Sequence, residues 1–176
     1  DTECLLQLIA RSRRAKVVDR FVEALHQIQG AYAFVWLTNN MLIGARDPIG
    51  IRPLVLGDRD GAPILASETC ALDIIGAKFV RSIEPGEVVV VTRARTGAIQ
   101  IDSHFPFGKR KARPCIFEFV YFARPDSIVD GRSVYEIRKR MGMRLAQETG
   151  VKADVVVPVP DSGVPAALGF GEGRRT

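Results

Sequence analysis

The sequence holds no stretch approaching the roughly 20 apolar residues needed to cross a bilayer, and its first residues lack the basic region, apolar run and cleavage site of a secretory leader. A soluble, cytoplasmic protein is the expectation. Cysteine is scarce. Cys4, Cys70 and Cys115 show no CxxC or CxxxC spacing, so neither a disulfide framework nor a self-contained zinc site is indicated. Helix-turn-helix, zinc-finger and RNP signatures are missing. Two basic clusters, Arg11, Arg13, Arg14 and Lys16, then Lys109, Arg110, Lys111 and Arg113, have no aromatics interleaved at a stacking spacing. The net charge of +5 is therefore read as solvated loops or steering of anionic metabolites. Neither nucleic acid nor membrane is an expected partner. There is no internal repeat and no low-complexity tract.

The 176 residues are 47% hydrophobic, enough for a buried core and for one or two domains. Leu5, Leu8 and Ile9 recur at helical spacing behind Thr2, and Val18, Phe21, Val22 and Leu25 mark a second amphipathic helix that Gly30 can end. Ala31 to Leu37 is a continuous apolar run that reads as a strand buried on both faces, turned by Asn39 and Asn40 into Met41 to Ala45. Further strands are expected at Pro53 to Gly57, Ile64 to Ser67, Val88 to Thr92 and Ala98 to Ile101, with one helix from Glu68 to Ile75. Antiparallel sheet should dominate residues 31 to 102.

From Phe105 to Pro114 the composition shifts to Pro, Gly and like charges, the mark of a connector and of a domain boundary. Beyond it the pattern reads strand (Ile116 to Phe122), helix (Val134 to Leu145, ended by Gly150), strand (Ala153 to Val159) and short helix (Val164 to Phe170). Such alternation implies a parallel α/β sheet.

Two constellations could carry chemistry. Val157-Pro158-Val159-Pro160-Asp161-Ser162-Gly163-Val164-Pro165 would deliver a polar turn from a strand end onto a helix N-terminus, where free amides and the helix dipole favour a phosphate. Asp161 would repel a bare phosphate, which leaves a divalent cation between them or a structural helix cap by Ser162. Arg46-Asp47-Pro48-Ile49-Gly50-Ile51-Arg52-Pro53-Leu54 gathers charge at a sheet end. It could orient a carboxylate or amine substrate, or simply be an Asp-Pro-x-Gly turn.

Three blocks together resemble the amidophosphoribosyltransferase family in order and spacing. They are Asp1-Thr2-Glu3 before a Leu-rich helix, the Arg46 to Leu54 block, and Cys115-Ile116-Phe117-Glu118-Phe119-Val120-Tyr121-Phe122-Ala123-Arg124-Pro125-Asp126-Ser127. The third is the most specific. The resemblance runs from Asp1 to about Gly171; Glu172 to Thr176 depart from it.

The resemblance implies a fold of α+β then α/β: part of an N-terminal-nucleophile glutaminase, an αββα sandwich, over residues 1–112, then the start of a type I phosphoribosyltransferase parallel sheet over 113–176. It implies a glycosyltransferase that makes 5-phosphoribosylamine from phosphoribosylpyrophosphate and glutamine-derived ammonia, the first committed step of purine synthesis, as a cytoplasmic homotetramer. By the same resemblance Asp1 holds the substrate's α-amino group, and Asp161, Ser162 and Gly163 form the pyrophosphate-side loop. Ser162 contacts Mg2+, and Cys115 is the first ligand of a [4Fe–4S] cluster in the branch that has one. Cys4 and Cys70 read as small buried hydrophobes.

No residue is expected to be catalytic. The family's nucleophile is an N-terminal cysteine that uses its own amine as base, and this sequence opens on Asp1. The acidic pair that precedes the phosphoribosyl-binding loop would lie beyond Thr176, as would the other cluster cysteines. The 176 residues alone are expected to hydrolyse no glutamine and transfer no phosphoribosyl group. A catalytically silent relative serving as a binding or interaction module is the alternative. The Cys115 to Ser127 block argues against the hexosamine and asparagine synthetases that share the first domain.

Overall fold

A computed structural model describes residues 2–108 and 110–174. Helices α1 (Thr2–Arg11) and α2 (Val17–Leu25) lead, as their apolar spacing requires, and bury Leu5 against Phe21, Ala24 and Leu25. They lie on a four-stranded antiparallel sheet, built from β1 (Ala33–Leu37), β2 (Met41–Arg46), β6 (Val88–Arg93) and β7 (Ile99–His104) in the order β1-β2-β6-β7. A second sheet orders β4 (Ala62–Ala66), β3 (Val55–Arg59) and β5 (Lys78–Ser82), and α3 (Thr69–Ile74) covers its outer face.

Strand alternation explains how one element serves two interfaces. Val88 and Val90 of β6 face α1 and α2, whereas Val89 joins Leu54, Leu56 and Ile83 between the sheets. On β3, Leu56 points into that inter-sheet core and Val55 packs with Leu72 of α3. The second sheet comes so close to β2 that a Cβ on Gly44 would meet Leu65 Cδ1 at 2.7 Å. Helices, sheet, sheet, helix: this is the αββα layering expected of residues 1–112.

A buried carboxylate ties the strands together at one end. Glu87 is wholly buried and receives hydrogen bonds from Arg81 Nη2 (2.6 Å) and Nη1 (2.9 Å), Ser103 Oγ (2.7 Å) and the Glu84 amide (2.7 Å). Burial pushes its carboxyl up, but these donors outweigh it and hold the group below the ordinary carboxylate range.

Several expectations change here. The Ala31 to Leu37 run is not buried on both faces: β1 is an edge strand, with Val35 49% and Leu37 81% exposed. The three-stranded sheet covers its inner face only as far as Ala33. Strand β5, carrying two cations in five residues, has too short an apolar alternation to stand out in the sequence. Cys70 is buried as expected, but Cys4 is exposed on α1.

After the connector, Ile116 to Phe122 is helical, with a π-helical turn over Glu118–Phe122, and not a strand. Its aromatic and β-branched residues favour a strand, but the main-chain bonding goes elsewhere. Ala123 N donates to Glu118 O, and the buried Arg138 donates Nε to Phe119 O (2.6 Å) and Nη2 to Ala123 O (2.7 Å). A guanidinium thus satisfies carbonyls that a ladder would otherwise need to satisfy.

A small hairpin, β8 (Ile128–Val129) and β9 (Arg132–Ser133), leads into α4 (Val134–Thr149), capped by Ser133 Oγ accepting from the Glu136 amide and ended by Gly150 in the left-handed region. Helix α5 (Val164–Gly173) packs across α4 so closely that Cβ atoms on Gly142 and Gly169 would overlap the carbonyls of Ala166 and Lys139. Ala153 to Val159, expected as a buried strand, forms no ladder, and Val155, Val157 and Val159 are 73%, 80% and 79% exposed. A parallel strand needs a neighbour, and no strand among the described residues offers one.

Candidate functional site

The Arg46 to Leu54 block is a closed turn whose charges are committed to its own backbone. Arg46, 5% exposed, donates Nε to Arg52 O (2.7 Å), Nη1 to Ile83 O (2.8 Å) and Nη2 to Gly50 O (2.9 Å). Asp47, wholly buried, accepts from the amides of Ile49 (3.1 Å), Ile51 (2.9 Å) and Arg52 (3.4 Å). Gly50 has φ +63°, and a Cβ there would meet Pro85 Cγ at 2.8 Å. Of the two readings open at the sequence level, the structure supports the turn: neither Arg46 nor Asp47 is free to orient a substrate.

Arg52 is different, because it reaches the Cys115 to Ser127 block. Its Nη1 lies 3.0 Å from Glu118 Oε1, and its guanidinium sits 4.5 Å from the centroid of the Phe122 ring. The main chain runs alongside, with Arg113 N donating to Ile49 O (2.8 Å) and Cys115 N to Ile51 O (3.1 Å). The two blocks that stand out in the sequence therefore form one junction. Glu118 is 2% exposed; burial raises its carboxyl above the usual range despite Arg52, and Glu68 nearby adds to the rise. The Arg52 contact is an ion pair without the alignment of a hydrogen bond. Across the turn, burial lowers the Arg138 guanidinium.

Glu118 and Arg138 were not assigned roles from sequence. A signal existed for the first, since Glu118 is the one charge within the apolar run from Cys115 to Ala123. Arg138 sits on an otherwise amphipathic helix and gives no such sign.

The second candidate is the turn ahead of α5. Asp161 is exposed, Ser162 and Gly163 are half-buried, and the Pro160–Asp161 peptide is cis. Gly163, not Ser162, occupies the N-cap, with no side-chain capping bond, and Pro165 lies in the first turn as expected. Gly163 N donates to Val159 O (3.1 Å) and Val164 N to Asp161 O (3.3 Å). A Cβ on Gly163 would stand 2.6 Å from Val159 O, so the loop closes only around glycine. This leaves the Ser162 hydroxyl without the capping duty that competed with a ligand role.

Cys115 is half-buried at the start of the π-helical segment. Among the described residues no group of three or more His, Cys, Asp or Glu side chains could hold a metal. An iron–sulfur cluster takes four protein ligands, of which Cys115 could supply one. Magnesium asks less: it takes one or two protein oxygens and completes its shell with water and substrate phosphates. Asp161 and Ser162 are compatible with that. Asp1 lies outside the described residues.

Comparison with known proteins places this arrangement in context. Residues 1–73 match a family model described as a glutamine amidotransferase domain. The amidophosphoribosyltransferase of Rhizobium etli is 58% identical over 172 residues, covering 98% of this chain and 35% of that protein. The chloroplastic enzyme of Glycine max is 50% identical over 171 residues, covering 97% of this chain and 29% of that protein. The glutamine phosphoribosylpyrophosphate amidotransferase from B. subtilis complexed with ADP and GMP superposes with a TM-score of 0.89 at 42% identity, covering 98% of this chain and 37% of that one. The chain thus spans about a third of the length of the relatives it matches. Its match crosses the connector and takes in both candidate sites.

Proposed function

We propose, for a chain homologous to the amidophosphoribosyltransferases over 98% of its length, that it is the junction of an enzyme making 5-phosphoribosylamine from phosphoribosylpyrophosphate and ammonia freed from glutamine. This is the first committed step of de novo purine synthesis. The observation that carries the reading is the 58% identity over 172 residues, 98% of the chain. Residues 1–112 serve as the later part of the glutaminase unit and residues 113–176 as the beginning of the phosphoribosyltransferase unit.

Asp161, Ser162 and Gly163 are the pyrophosphate-side turn. Gly163 lets the chain close tightly, which sets the Ser162 hydroxyl and Asp161 carboxylate at the head of α5. The helix dipole favours negative charge there. Magnesium bound to pyrophosphate would neutralise charge on the departing group. Ser162 would hold that ion as a hard oxygen ligand, and Asp161 would sit beside it without repelling the phosphates. Asp1 is the carboxylate that receives the α-amino group of glutamine. Iron and sulfide analysis of the purified native-length protein tests whether Cys115 ligates a cluster.

The test is pyrophosphate release from phosphoribosylpyrophosphate by the native-length protein with glutamine and Mg2+. Release that depends on glutamine or ammonia, and that Ser162→Ala weakens mainly through KM for phosphoribosylpyrophosphate, supports the reading. A folded protein that releases no pyrophosphate with either nitrogen source overturns it.

A further inference from the structure

A second attachment joins the two units, just beyond the π-helical turn that Arg52 contacts. The half-buried Glu68, at the N-cap of α3, accepts through Oε2 from the Arg124 amide (2.7 Å) and from Ser127 Oγ (2.8 Å). The neighbouring Thr69 Oγ1 accepts from the Ile128 amide (2.8 Å). These bonds bridge 56 to 59 residues of sequence. One carboxylate oxygen thus takes two donors from a turn that belongs to the other unit, and Ser127 is 1% exposed.

That turn in turn starts α4. Val134 N donates to Ser127 O (3.1 Å) and Tyr135 N to Pro125 O (3.0 Å). Helix α4 then meets α5 at the glycine contacts described above, where no side chain intervenes to absorb a shift. The head of α5 carries Asp161, Ser162 and Gly163. A continuous series of rigid contacts therefore runs from the sandwich, through Glu68 and Ser127, along α4 and across to the polar turn. Close-packed interiors transmit strain.

We infer that Glu68 is a positioning residue that holds the pyrophosphate-side turn in register with the glutaminase sandwich, so that ammonia released in one unit is used in the other. The inference rests on the function proposed above. Glu68 touches no reacting atom; it acts through Ser127 and α4. Its loss should spare the chemistry of each unit and spoil their coordination.

The experiment uses the native-length protein and two variants, Glu68→Gln and Ser127→Ala, each assayed for phosphoribosylamine formation with glutamine and with ammonium chloride as separate nitrogen sources. The expected result is a fall of at least about fivefold in the glutamine-to-ammonia rate ratio, with free ammonia accumulating and the ammonia-supported rate within about twofold of the parent. Equal loss with both sources in both variants would mean a structural role only and overturn the inference, as would an unchanged ratio. If the parent makes no product from either source, the proposed function fails instead.

Discussion

Arg52 Nη1 lies 3.0 Å from Glu118 Oε1, and the same guanidinium faces the Phe122 ring at 4.5 Å. One side chain from the turn of the sandwich thereby makes a charge contact and a ring contact with the π-helical turn beyond the connector. Arg52→Lys keeps the charge and discards the planar face that suits the ring. Because the Arg52 side chain is 39% exposed, the loss should be modest, about 1 kcal/mol. Denaturant unfolding with an unchanged m-value and a lower midpoint is the expected outcome.

Two buried glutamates should give opposite pH signatures. The folded carboxyl of Glu87 lies below its ordinary value, so its contribution is present above that ordinary value and is lost as pH falls through the folded one. Glu118 lies above its ordinary value, so its contribution is full below that value and is lost as pH rises through the folded one. Glu87→Gln should flatten the acid-side loss of stability and cost about 2–3 kcal/mol at neutral pH. Glu118→Gln should flatten the decline on the higher-pH side of the carboxylate range. Urea midpoints measured across that range check both signs.

The α4–α5 crossing depends on two absent side chains. Gly142→Ala or Gly169→Ala places a methyl group against a facing backbone carbonyl, which must move because it belongs to a helix. Strain from overpacking is typically about 1–3 kcal/mol, and a backbone obstacle belongs at the upper end. Thermal unfolding should show both variants destabilised, whereas Gly171→Ala, with open space at that position, should be neutral or slightly stabilising.

How much of this could be read from the sequence depended on whether the chain supplies its own neighbours. The hairpin from β1 to β2, the α1 and α2 stripes and the Gly150 stop were legible because local spacing and turn chemistry dictate them. Ile116 to Phe122 was not. Its composition favours a strand, and the deciding partner, Arg138, lies 15 to 20 residues downstream. Ala153 to Val159 departs from its pattern for the opposite reason: its composition suits a buried parallel strand, but no described residue pairs with it. At the site, the Asp161-Ser162-Gly163 turn was visible from helix-start signals. The Glu68–Ser127 bond was not, since neither residue lies in a pattern that points to the other.

The most direct measurement of the central claim follows the nitrogen atom. The native-length protein is incubated with phosphoribosylpyrophosphate, Mg2+ and glutamine labelled with 15N at the side-chain amide, and the amino sugar product is trapped for mass spectrometry. The account requires the label in 5-phosphoribosylamine with matching release of pyrophosphate. Glutamine consumed by a folded, native-length protein with no labelled amino sugar formed would contradict it.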